Sequence, residues 1–224
     1  MSESGIVQNW EIVSLAETYG LLDYFDLNDI ATGSPITKLD LARILVRLID
    51  LPINETETDF IFEDCENLTS EEKGIIKAVH DAGVMSGSDT NIFGPDHTLT
   101  RASVITCLYA ALEMQQTTDT DLPFSDVKTS HWYYPYISAL YNLGIILTEK
   151  DVFEPDDSAT YLDTLRWVTA AYEYRKNGVV HSTNLLCERE GETPSYFEGW
   201  NTQKDGTGDW YMPWEPIPDG IVLD

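Results

Sequence analysis

The stretch Phe93-Gly94-Pro95-Asp96-His97-Thr98-Leu99-Thr100-Arg101-Ala102-Ser103 decides the fold, because its landmarks recur along the chain at a fixed step. Before it lie Phe62-Glu63-Asp64, the helical pattern Ile75-Ile76-Lys77-Ala78-Val79, and Gly83-Val84-Met85-Ser86-Gly87. A glycine ends an amphipathic pattern at Gly20, Gly83 and Gly144, with steps of 63 and 61 residues. A threonine opens a second pattern at Thr37, Thr100 and Thr160, with steps of 63 and 60 residues. Phe-x-Pro stands between them in the later two copies, as Phe93/Pro95 and Phe153/Pro155. Two independent landmarks with one step describe a tandem array.

Repeat one covers about 6–52, repeat two about 60–114 and repeat three about 122–175. Each unit holds two short helices and cannot bury its apolar faces alone, so the three are expected to share one core as a single domain over 1–175. The first helices are read at Ile6–Tyr19, Ser70–Ala82 and His131–Leu143, and the second at Lys38–Ile49, Arg101–Met114 and Tyr161–Arg175. In the first of the second helices, Leu41, Ile44, Leu45 and Leu48 fall at i, i+3, i+4 and i+7, one buried stripe. Each threonine is placed to cap its helix, with Asp40, Ser103 or Asp163 three residues on as a short reciprocal box. The stretch 26–35 reads as a loop, and 54–59 and 115–121 as polar linkers. From 176 to 224 the pattern breaks. Trp200, Trp210 and Trp214 sit among Pro194, Pro213, Pro216 and Pro218, which points to short strands or an extended wrap, packed on the array or binding a partner.

The net charge is −26, from 13 Lys and Arg against 39 Asp and Glu. Nucleic acid is excluded as a partner, since phosphate binding needs clustered cations, and anionic membrane surfaces are disfavoured for the same reason. No apolar run reaches the length of a membrane span. The first residues lack the basic and apolar regions of a signal peptide, so the protein either stays inside the cell or had a signal removed. Cys65, Cys107 and Cys187 give an odd count with no disulfide framework; a Cys65–Cys107 bridge is the alternative to buried free thiols. Asp89 to Gly94 opens like a calcium loop but has Phe93 at the fifth position and no glutamate at the twelfth. The four histidines show no metal spacing, and no nucleophile or phosphate-binding motif occurs. The expectation is a non-enzymatic protein without a cofactor.

The order Phe-x-Asp, His-Trp-aromatic, Gly-Ile-Ile, Phe-x-Pro, Thr-Arg-Ala resembles the S-layer homology domain over roughly residues 6–175. Repeat three carries the front half in Phe124-Ser125-Asp126, His131-Trp132-Tyr133-Tyr134 and Gly144-Ile145-Ile146. Repeat two carries the back half in Leu99-Thr100-Arg101-Ala102. The resemblance implies a mainly α fold, three pairs of helices closed into a pseudo-threefold prism. It also implies anchoring at the bacterial cell surface through an anionic secondary cell-wall polysaccharide bound in grooves between repeats. The motif arginine would face the acidic sugar, a guanidinium fork matching a carboxylate.

Carried onto this sequence, the arginine position reads Lys38, Arg101 and Tyr161, and the second glycine of the turn survives only as Gly87, against Tyr24 and Thr148. One groove, built from Arg101, Gly83 and Gly87, retains the pattern; Lys38 keeps charge without the fork, and Trp132 is a candidate stacking surface, although a Trp at a helix start more often joins the core. Arg43, Arg47, Lys73 and Lys77 either reinforce that groove or are solvated. Two functions follow: the polysaccharide anchor, or a worn array that keeps the scaffold and serves as an assembly subunit, its acidic surface and aromatic tail contacting a protein.

Overall fold

The computed structural model describes residues 10–25, 27–54, 56, 62–89, 91–114, 121–146, 151–178, 200–201 and 210–211. The chain divides into two compact units, Met1–Glu188 and Arg189–Asp224. The second unit shows an antiparallel pair, β1 (Trp200–Asn201) with β2 (Trp210–Tyr211), in which Trp200 faces Tyr211. Trp214 and the tail prolines lie outside the described residues, as does Cys187.

The first unit is helical: α1 (Trp10–Thr18), α2 (Leu27–Thr32), α3 (Lys38–Leu48), α4 (Ser70–Asp81), α5 (Arg101–Ala111), α6 (Tyr134–Asn142) and α7 (Tyr161–Asn177). Single 3-10 turns cover Leu22–Tyr24 and Glu63–Cys65. Helices α3, α5 and α7 are the second helices of the repeats, and their caps form as the pattern predicts. The Thr37, Thr100 and Thr160 hydroxyls accept from the amides of Asp40, Ser103 and Asp163, and at Thr160 the Asp163 side chain closes the reciprocal box. A cap of this kind contributes about 1 kcal/mol. The helix read at His131 instead starts at Tyr134, because His131 to Tyr133 form a turn ahead of Pro135, which suits a first turn. The stretch read as a loop at 26–35 contains α2, ended by Gly33 in the left-handed region at φ +69°.

Helices α3, α5 and α7 contact one another, and each also packs on the first helix of the following copy: α3 on α4, α5 on α6, α7 on α1. Their apolar stripes are buried as the periodicity requires, with Leu41, Ile44, Leu45, Val104, Ile105, Leu108, Leu165 and Val168 all in the core. Ahead of each of these helices an extended residue joins a triangle of backbone hydrogen bonds. Ile36 N donates to Ala159 O, Ala159 N to Leu99 O, and Leu99 N to Ile36 O. Each segment donates once and accepts once, so the three copies meet where their second helices begin.

Candidate binding junctions between repeats

Three junctions arise where the first turn of one second helix meets the loop of the next copy. At the first, Lys38 N donates to His97 O and Leu39 N to Pro95 O. At the second, Arg101 N donates to Asp157 O and Ala102 N to Pro155 O. At the third, Tyr161 N donates to Ser34 O. The helix-opening residue thus always reaches across to a different copy.

The Phe-x-Asp and Phe-x-Pro motifs explain each other at these junctions. Phe93 and Phe153 are fully buried, each worth about 2–3 kcal/mol of apolar burial. Asp64 accepts from the amides of Phe93 and Gly94 at 3.0 and 2.7 Å. Asp126 accepts from Phe153 and Glu154 at 2.8 and 2.7 Å. Burial pulls the Asp64 carboxyl up, but these amide bonds outweigh it and hold the carboxyl below its ordinary value. On the other side of the same phenylalanines, Lys38 Nζ donates to Phe93 O at 2.7 Å, and Arg101 Nε donates to Phe153 O at 2.8 Å. Each ring also carries the cation on its face, at 4.5 Å for Lys38 and 5.0 Å for Arg101.

The two cations differ in their remaining partners. Arg101 Nη1 pairs with Asp163 Oδ1 at 2.7 Å, with both side chains mostly buried, and the guanidinium also lies over Trp167. Burial raises the Asp163 carboxyl, and Arg101 together with the Thr160 amide and hydroxyl more than reverses that, so it stays below its ordinary value. Lys38 is 7% exposed and its second partner is Ser88 Oγ at 3.3 Å. Burial lowers its pKa. Among the described residues no carboxylate lies within ion-pair distance of Lys38. At the third junction Tyr161 donates to Asp40 Oδ2 at 2.5 Å and sets its ring edge-on to Phe25.

The expected grouping of Arg101 with Gly83 and Gly87 changes accordingly. Gly87 packs on Phe62, whose ring meets Phe93, and the Ser88 that follows it meets Lys38. The Gly83–Gly87 turn therefore belongs with Lys38, while Arg101 faces the loop of repeat three. The reason is the crossing of copies at every junction, which a copy-by-copy alignment hides. Gly83 holds φ +69° at the end of α4, a conformation that disfavours a side chain. At Gly87 an added Cβ would lie 2.5 Å from Asp89 O and 2.7 Å from Ile92 O, so the position has no room for one.

Trp132 is 60% exposed, the one large apolar side chain so placed among the described residues, which corrects the expectation that a Trp at a helix start joins the core. Tyr133 and Tyr136 hold it edge-on, and Tyr136 in turn meets Tyr109 of α5. Arg43 bridges Asp40 and Glu72, Arg47 faces Asp23, Lys73 donates to Glu66 O, and Lys77 pairs with Asp81. These four cations have acceptors close by and do not gather at the Arg101 junction. Cys65 and Cys107 are free thiols, which removes the bridge between them, and burial pushes both up to about 12. Asp64 and Asp126 are signalled in the sequence by the recurring Phe-x-Asp, whereas no pattern singles out Ser88.

The model of the S-layer homology domain matches residues 62–105 and 123–164, which are repeats two and three up to the start of their second helices. The chain is 29% identical over 157 residues to an S-layer protein of Bacillus licheniformis, covering 68% of this chain and 18% of that protein. It is 26% identical over 180 residues to the S-layer protein EA1 of Bacillus anthracis, covering 74% and 20%. It is also 29% identical over 167 residues to an uncharacterized cell wall amidase of Bacillus anthracis, covering 72% and 30%. The matched region thus spans less than a third of each of these relatives.

Proposed function

We propose that this chain is a non-enzymatic anchoring module of the bacterial cell surface, binding an anionic secondary cell-wall polysaccharide at the junctions between its repeats. The observation that carries the reading is the agreement between the domain match and the junctions: both matched segments end in the second helices that build them. The triangle at Ile36, Leu99 and Ala159 supports a closed prism with pseudo-threefold arrangement. Gly83, Gly87, Lys38 and Arg101 frame two junctions, and the exposed Trp132 offers a planar face to a sugar ring. Repeat one lies outside the matched segments and enters the reading through its cap, its place in the triangle and the Tyr161–Asp40 contact.

The test is co-sedimentation of the full chain with purified Bacillus cell walls, before and after acid stripping of the secondary polysaccharide. Binding to intact walls and loss of it on stripped walls is the expected result. Equal binding to both, or none to either, would overturn the reading. One observation favours the second reading, a scaffold that contacts a protein: the Arg101 guanidinium is already paired with Asp163. Under that reading, truncation after Asn177 leaves a folded array that no longer captures its partner.

A further inference from the structure

Trp132 is 60% exposed, and the groups around it are acidic. The Tyr133 and Tyr136 rings hold it at 5.3 and 6.4 Å. The loop Phe153-Glu154-Pro155-Asp156-Asp157 lies beside this helix start, fastened by Asp126, which accepts from the Phe153 and Glu154 amides. Burial raises the Tyr133 phenol, and the charges of Asp156 and Asp126 raise it further. Both carboxylates are thus within electrostatic reach of the ring that supports Trp132.

The carboxylates of this loop are uncommitted. Glu154, Asp156 and Asp157 are exposed, and among the described residues none of them joins an ion pair. Nor do three metal-ligating side chains gather among the described residues. A metal ion needs converging oxygens, whereas charge spread along a loop beside an aromatic face suits an organic cation.

The chain shows in its own core what such groups hold. Arg101 lies 5.0 Å from the centres of both the Phe153 and Trp167 rings and pairs with Asp163 at 2.7 Å. Lys38 lies over Phe93, and Lys176 over Tyr172. Among the described residues no cation lies over Trp132. In the anchoring reading this indole offers its face to a sugar ring, but the carboxylates beside it repel an anionic sugar and attract a cation. The net charge of −26 draws basic partners toward the same face.

We propose that Trp132, with Asp156 and its loop, is a docking surface for a basic protein segment, whose arginine or lysine head lies on the indole beside the carboxylates. The assignment goes beyond the anchoring reading and does not depend on it. It is tested by fluorescence anisotropy of a labelled arginine–glycine repeat peptide, titrated with the full chain at physiological salt. The peptide is expected to bind, and its neutral citrulline counterpart is not. Trp132→Ala should weaken binding about fivefold and Asp156→Asn about threefold, whereas Trp132→Phe keeps most of the affinity. Asp96→Asn controls for bulk charge and should leave affinity nearly unchanged. Asp96 holds the same place after Phe-x-Pro in repeat two, where the first helix opens Ser70-Glu71-Glu72 with no tryptophan. Trp132 is exposed, so its replacement should leave the circular dichroism native. Equal losses in Asp96→Asn and Asp156→Asn, with Trp132→Ala unaffected, would show attraction by net charge alone and overturn the assignment. Absence of peptide binding would overturn it as well. So would binding of neutral chitin oligosaccharides in place of the peptide, lost in Trp132→Ala, which would assign the indole to a sugar.

Discussion

Tyr161 donates its hydroxyl to Asp40 at 2.5 Å, joining the last repeat to the first across 121 positions of sequence. Arg101 and Asp163 stand in the same relation one junction earlier, as an ion pair. A tyrosine in the arginine position therefore keeps the contact and discards the charge. Burial raises the Tyr161 phenol, and the bond to Asp40 raises it further, so it remains a donor throughout the physiological range.

Arg101 is expected to contribute measurably to stability. Its replacement by Met leaves the Asp163 carboxylate and the Phe153 carbonyl without their donor and removes a cation from two rings. Removing one partner of a largely buried pair costs about 3 kcal/mol. Urea denaturation of Arg101→Met against the native chain reads this directly, and a loss under about 1 kcal/mol would show that the pair is not structural.

The two glycines of the turn should respond differently to alanine. Gly83→Ala puts a side chain at φ +69° in open space, a cost of about 1 kcal/mol. Gly87→Ala forces a Cβ against two backbone oxygens and the Phe62 ring, a cost of about 2–3 kcal/mol. Denaturation midpoints in the reverse order would contradict the close packing at Gly87.

Acid should remove the Asp163 contribution. Against the upward pull of burial, Arg101 and the Thr160 hydrogen bonds hold its folded pKa below the ordinary 3.8. A depressed carboxyl stabilises the fold above the unfolded pKa and loses that effect as pH falls through the folded value. The stability gap between native and Asp163→Asn chains should stay constant from pH 7 to about pH 5 and shrink below about pH 4. A gap that widens in acid would show that the Asp163 carboxyl is raised, not lowered, in the folded chain.

Much of the scaffold is legible in the sequence because it rests on local rules. Leu41, Ile44, Leu45 and Leu48 share a stripe and are buried, and Thr37, Thr100 and Thr160 cap as their spacing requires. Helix α2 escapes such reading because its six residues are too few to show a period and Gly33-Ser34-Pro35 signals a turn. The junctions escape it for another reason. Alignment places Gly87 and Arg101 in one copy, whereas folding hands each copy's helix start to the next copy's loop. The partner of Arg101 is therefore Asp163, and the neighbour of Gly87's turn is Lys38. Trp132 is legible as an aromatic and not as a surface group, because its exposure follows from the turn ahead of Pro135.

First-to-third contacts link repeat two to repeat three through Arg101 and Asp163, and repeat three to repeat one through Tyr161 and Asp40. A double-mutant cycle with Tyr161→Phe, Asp40→Asn and the combined variant, read by urea denaturation, tests the second link most directly. The account predicts a coupling energy of about 1–2 kcal/mol between the two positions. Additive losses, with coupling within about 0.3 kcal/mol of zero, would contradict a link between repeats three and one through this pair.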